Sequence, residues 1–245
     1  MEFLTTPEFW IAVGQIILID ILLGGDNAVV IALACRRLPP NLRIKGILWG
    51  TVGAIGLRVV LIFFALQLLA IPFLKLVGAV LLVWIGIKLL APDEEEGHGN
   101  IQASDRLWTA IKTIVVADLV MSVDNVIAIA GAAESVGGDH KLPLVVFGLL
   151  VSIPIIVWGS QLVIKLMDRF PMIITLGGML LGWIAGTLAV TDPALLGHVP
   201  TLPPGQLGAL PVVLAGVRYG AGLAGALLLL AVGLVFKRPA AAAAT

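Results

Sequence analysis

Apolar residues run along this chain in blocks of about twenty, separated by short polar seams, and that rhythm predicts its elements. The blocks cover about 8–34, 44–70, 72–90, 108–133, 142–166, 172–190 and 212–236. A helix crossing a hydrocarbon core about 30 Å thick needs roughly 20 mostly apolar residues, at about 1.5 Å of rise each. Backbone N–H and C=O groups find no water in lipid, so each block is expected to be helical. The pattern predicts an all-α polytopic membrane protein with seven transmembrane helices. The seams read "RRLPPNLR", "PDEEEGHGNIQASDR", "ESVGGDHK", "MDRFP" and a proline-rich stretch over 192–211.

Positive charge orients such a bundle, because Lys and Arg collect in cytosolic loops. Alternate seams carry Arg36, Arg37, Arg43 and Lys45, then Arg106, then Lys165 and Arg169, then Lys237 and Arg238; the opposite seams carry little beyond Lys141. The N-terminus is therefore expected outside and the C-terminus in the cytosol of a bacterial-type inner membrane. No basic residue precedes the first block, and the block is long and carries acids, so it reads as a spanning helix rather than a signal peptide.

The blocks also repeat. At an offset of 98, Trp10 meets Trp108, Asp20 meets Asp118, Asp26 meets Asp124 and Asn27 meets Asn125; at 99, Pro72 meets Pro171, Gly78 meets Gly177 and Trp84 meets Trp183. Rare residue types matching in order point to duplication. The expected organisation is a three-helix repeat over 1–90, a cytosolic acidic loop over 91–107 and a second repeat over 108–190. An extracytoplasmic loop over 191–211, a seventh helix over 212–236 and a cytosolic tail over 237–245 complete it. Three spans per repeat is odd, so the halves enter the membrane from opposite sides. Folds built on such inverted repeats place their substrate site near the midplane, where the repeats meet.

Composition agrees with a membrane setting: 60% of residues are hydrophobic and 12% charged, with mean hydropathy +1.10, against about 25% charged in soluble domains. The net charge of zero argues against nucleic acid as a partner. A single cysteine, Cys35, excludes an intramolecular disulfide. Tryptophans 10, 49, 84, 108, 158 and 183 suit span ends and packing positions. Pro154 is expected to kink the fifth helix beside Ser152 and Ser160.

The acids inside the blocks change the picture. Asp20 lies eleven residues beyond Phe9, about 16 Å into the core, and Asp118 lies at a similar depth from the other face. Asp26 sits roughly 9 Å nearer the cytosol, and Asp124 a similar distance nearer the outside. Asp20 and Asn27 are seven apart and share a helix face, as do Asp118 and Asn125. "GG" at 24–25 offers a bend that brings Asp26 round. Arg58 is the one mid-span base, and it is expected to neutralise one acid in a structural pair. Each remaining carboxylate, at about 2.5–3.5 kcal/mol on insertion scales, calls for a proton or a cation. Carboxylate and amide oxygens suit hard divalent ions: Mg²⁺, Ca²⁺ or Mn²⁺. His98, His140 and His198 all fall in seams, which disfavours zinc and copper at midplane. No nucleophile–base pair stands out, so no enzymatic activity is expected.

"DILLGGDNAVVIALACRRLP" and "ADLVMSVDNVIAIAGAA" resemble the TerC family of integral membrane proteins, especially its short YjbE-like branch, over about residues 8–190. The family is grouped with the LysE-type transporter superfamily, which shares two three-helix repeats. The resemblance implies Mn²⁺ efflux through Asp20, Asp26, Asn27, Asp118, Asp124 and Asn125, with Mn²⁺ as transported substrate. An empty site rich in carboxylates takes up protons as the metal leaves, so exchange of metal for protons is expected. The alternative is a membrane assembly or interaction protein whose acids hold a structural cation.

Overall fold

The computed structural model describes residues 7–64, 68, 71–91, 103–134, 141–202 and 212–237. Among them the chain forms seven long helices: α1 (Pro7–Cys35), α2 (Pro40–Phe63), α3 (Leu74–Leu90), α4 (Ala103–Glu134), α5 (Lys141–Arg169), α6 (Met172–Val190) and α7 (Ala215–Lys237). Prolines set several boundaries. Pro40 opens α2 in the first turn, where its missing N–H is no loss. Pro171 immediately precedes α6. The second helix therefore occupies 40–63 rather than the expected 44–70. At the last helix, Val212–Val213 pairs antiparallel with Thr201–Leu202, and α7 begins at Ala215. A short apolar run cannot be assigned to strand or helix from periodicity alone, so this ribbon was invisible in the sequence.

Among the described residues, four helices are long and apolar enough to cross a bilayer: Pro40–Phe63, Val145–Arg169, Met172–Val190 and Ala215–Phe236. α1 makes a fifth if its arms Val13–Leu22 and Gly25–Cys35, bent by 53°, count as one span. The break falls between Leu22 and Gly25, at a glycine pair of the kind where helices yield most readily. α3 is only 17 residues long, and α4 carries Asp105, Arg106, Lys112, Asp118 and Asp124 along its length.

The helices pack as two compact units that interleave the sequence. The first holds α1, α2, α4 and most of α5. Its contacts are reciprocal in the 98-residue repeat. A Cβ on Gly50 of α2 would lie 2.5 Å from the Ile114 side chain of α4, and one on Gly148 of α5 would lie 2.6 Å from Ile16 of α1. Gly50 and Gly148 are repeat equivalents, as are Ile16 and Ile114, so one contact is the other with the halves exchanged. In both, the absence of a side chain lets a helix close on an isoleucine. Val13, Ile16, Ile55, Val145 and Leu149 form a buried cluster alongside.

The second unit holds α3, α6 and α7. A Cβ on Gly182 of α6 would stand 2.1 Å from the Gly225 carbonyl oxygen of α7, and one on Gly186 would stand 2.0 Å from that of Ala221. Backbones this close are the membrane mode of helix association, where small residues replace the hydrophobic effect. Asp192, fully buried beyond the end of α6, accepts hydrogen bonds from the N–H groups of Phe73 (2.9 Å), Lys75 (3.0 Å), Leu76 (3.1 Å) and Ala194 (2.8 Å). It caps the start of α3 from 117 residues away. Phe73, at φ 66°, holds the left-handed conformation that turns the chain into that cap. Burial raises the Asp192 pKa, and the four N–H donors more than reverse this, leaving it below the usual carboxylate value.

Large apolar side chains face outward in both units, including Trp10, Trp49, Trp84, Trp108 and Trp158, while Asp20, Arg58, Asp118 and Asp192 are buried. That inversion matches a hydrocarbon solvent.

Candidate cation site

Three helices of the first unit each devote one position of a buried apolar stripe to a charged group. On α2 the buried positions Ile47, Thr51, Ala54, Arg58 and Leu61 alternate by four and three, which lines one helix face. On α4, Ala110, Ile114, Asp118 and Ser122 stack at intervals of four. On α1, Val13, Ile16, Asp20 and Asn27 share the inward side. Where an aliphatic side chain would complete the core, the chain places Arg58, Asp118 and Asp20.

The three meet. Arg58 Nη1 donates to Asp20 Oδ1, Nη2 donates to Asp118 Oδ1, and Nε donates to Ser122 Oγ at 3.0 Å. Exposure is 1% for Asp20, 2% for Arg58 and 6% for Asp118. Each carboxylate has a second anchor: Ser152 Oγ donates to Asp20 Oδ2, and Ser122 Oγ donates to Asp118 Oδ2 at 3.0 Å. The expectation that Arg58 neutralises one acid is corrected, because it bridges two. A planar guanidinium with donors on separate nitrogens can serve two carboxylates at once. With both acids ionised the buried triad carries a net charge of −1.

Beside the triad lies a cavity of about 10 Å³ lined by Asn27, Val30, Ile31, Ile114 and Asp118. That is room for about one water-sized body. Asn27 is 4% exposed, and neither its amide oxygen nor its amide nitrogen has a hydrogen-bond partner. A buried unpartnered amide costs about 1–3 kcal/mol. Asn27, with its unused carbonyl oxygen, and Asp118 line the same small space.

The other sequence-predicted residues stand differently. Asp26 is half-buried; its Oδ1 accepts from the N–H of Asn27 at 2.9 Å, and it forms no ion pair among the described residues. Asn125 is half-buried on α4. Asp124 belongs to α4, with its side chain outside the described residues. Among the described residues no three His, Cys, Asp or Glu side chains converge to hold a metal. Two serines take part that the sequence pattern does not assign to the site. Ser122 stands one turn from Asp118 on the same face, a spacing that points to it. The role of Ser152 needs α5 packed on α1, across 132 residues.

Comparison with known proteins adds a frame. Residues 5–240 match the model of the integral membrane protein TerC family. The uncharacterized membrane protein YjbE of Bacillus subtilis is 42% identical over 218 residues, spanning 86% of this chain and 96% of that protein. YceF of the same organism, also an uncharacterized membrane protein, is 27% identical over 196 residues, spanning 77% of this chain and 74% of YceF. The UPF0053 inner membrane protein YoaE of Escherichia coli K12 is 26% identical over 196 residues, 72% of this chain but only 36% of YoaE. No solved structure matches.

Proposed function

Since this chain belongs to the integral membrane protein TerC family, we propose that it is a divalent-cation efflux transporter with Mn²⁺ as substrate and protons as counter-ion. The observation that carries the reading is Asn27: a buried amide with both polar atoms unpartnered, lining with Asp118 a cavity the size of one small body. Hard divalent ions take carboxylate and amide oxygens, and a buried anionic cluster with net charge −1 attracts them. In this reading Asp118 and Asn27 supply the first contacts. Asp26 serves the approach from the cytosol, and Asp124 and Asn125 serve the exit side. All seven helices cross the membrane as two inverted repeats plus α7, with the N-terminus outside and the C-terminus in the bacterial cytosol.

The reading is tested by Mn²⁺ flux through purified protein in proteoliposomes, comparing the native chain with Asn27→Leu. Leucine matches the amide in size and removes the unpartnered polar atoms, so folding is kept or improved while flux falls at least about tenfold, the factor that 1.4 kcal/mol of lost ligation produces. Native flux in Asn27→Leu, or no turnover by the native chain, refutes the proposal. Saturable Mn²⁺ binding without turnover is what the alternative, an assembly protein with a structural cation, would show.

A further inference from the structure

Resting on the transport reading above, we propose that Arg58 is a resident stand-in for the transported cation: its guanidinium occupies Asp20 and Asp118 while the cargo is absent, and cargo binding requires it to let go of Asp118. Four observations carry this. Arg58 is among the largest fully buried side chains of the protein, and each of its three nitrogens is spent within this one cluster. It breaks the repeat, since its counterpart at an offset of 98 is Ile156; the duplicated acids are therefore served by one shared base rather than one each. A purely structural pairing gains nothing from leaving two carboxylates to one cation, because the uncompensated charge is costly to bury.

The third observation is the division of Asp118. One oxygen goes to Arg58 and the other to Ser122, while Asn27, which lines the same cavity, holds nothing. A divalent ion drawn to Asn27 needs the charge of Asp118, and a guanidinium on the same carboxylate repels it. Occupation by cargo and by Arg58 is mutually exclusive. The fourth is the pair of serines: Ser152 holds Asp20 with no contact to Arg58, and Ser122, which accepts from Arg58 Nε, donates its own proton to Asp118. Both carboxylates keep their places when the guanidinium leaves, so one movement exchanges an internal cation for an external one.

The consequence is a split between two kinds of flux. Metal-for-metal exchange uses only the loaded carrier, whereas net efflux also needs the empty carrier to return with its acids neutralised. Removing Arg58 harms only the second. In proteoliposomes, Arg58→Gln is expected to keep ⁵⁴Mn²⁺–Mn²⁺ exchange while net efflux falls at least about tenfold, and Mn²⁺ binding by the purified protein tightens by about tenfold as the competitor is lost. Arg58→Lys, which keeps a cation, retains net efflux. If Arg58→Gln fails to fold, Arg58→Met, which fills a similar volume without a charge, is expected to show the same split. Exchange and net efflux falling together in a folded variant, or unchanged Mn²⁺ affinity, overturns the proposal. If the native chain exchanges no metal, the transport reading fails on its own. The binding arm then still decides whether Arg58 competes for the site: tighter Mn²⁺ binding supports it, and unchanged binding overturns it.

Discussion

Replacing Asp192 by alanine removes a cap that joins two distant segments, and its cost can be worked from the bonds. The carboxylate receives the N–H groups of Phe73, Lys75 and Leu76 at the start of α3 and of Ala194 in its own turn. Losing a helix N-cap costs about 0.5–2 kcal/mol, and a hydrogen bond to a charged group contributes about 1.5–3 kcal/mol. Taking the three α3 donors as one strong cap gives about 2 kcal/mol at the start of α3, and the Ala194 bond adds about 1 kcal/mol to global stability. Local opening of the first turn of α3 then becomes about 30-fold more frequent. Amide hydrogen exchange at Lys75 and Leu76 in detergent-solubilised protein reads this directly. Because the folded-state pKa of Asp192 is depressed from 3.8, its contribution is full above the unfolded-state value and is lost as pH falls through the lower folded-state value. Asp192→Asn is accordingly expected to flatten the acid limb of the stability profile. Exchange at Lys75 and Leu76 accelerated by less than about threefold in Asp192→Ala would refute the capping account, since that factor corresponds to under 1 kcal/mol.

Other outcomes follow from close packing and charge. Gly182→Val drives carbon into the Gly225 carbonyl, so α6 and α7 must part, with about 1–3 kcal/mol lost and a lower melting temperature in detergent; Gly220→Ala, which meets nothing within 4 Å, is the control expected to leave it unchanged. With the free Cys35 replaced by alanine, a cysteine at position 97 is expected to resist an impermeant thiol reagent and one at position 137 to react from outside. Labelling of both from one face contradicts the inverted topology.

The helical character of the fold was legible because continuous apolar blocks of about twenty residues suit a spanning helix, whereas a barrel strand is about ten residues of alternating polarity. The acids were legible for the converse reason, since a charge at membrane depth needs a purpose. What the sequence hid is pairing. Asp20 and Asp118 are equivalent by repeat, yet nothing in either segment names Arg58 as common partner, and Ser152 reaches Asp20 only through α5 folding against α1. Asp192 was read as part of a proline-rich loop, because a carboxylate capping a helix more than a hundred residues away leaves no local pattern. Boundaries slipped where proline acted later or earlier than hydropathy, as at Pro40.

Duplication explains why the scaffold of the first unit is symmetric and its charge is not. The contacts of Gly50 with Ile114 and of Gly148 with Ile16 need only a missing side chain facing a branched one, and a copied sequence supplies that in both halves without further change. Charge follows a different rule. Had Arg58 been copied along with the acids, two guanidiniums would have met two carboxylates, and the triad would have become a closed set with no net charge to attract a cation. A single arginine leaves −1, which in the proposed reading draws a hard cation and is small enough to stay buried. The acids had to be kept in both halves for a guanidinium to bridge them, and the base had to be kept in one. Ile156 in place of a second arginine is therefore as much a part of the candidate site as Asp118.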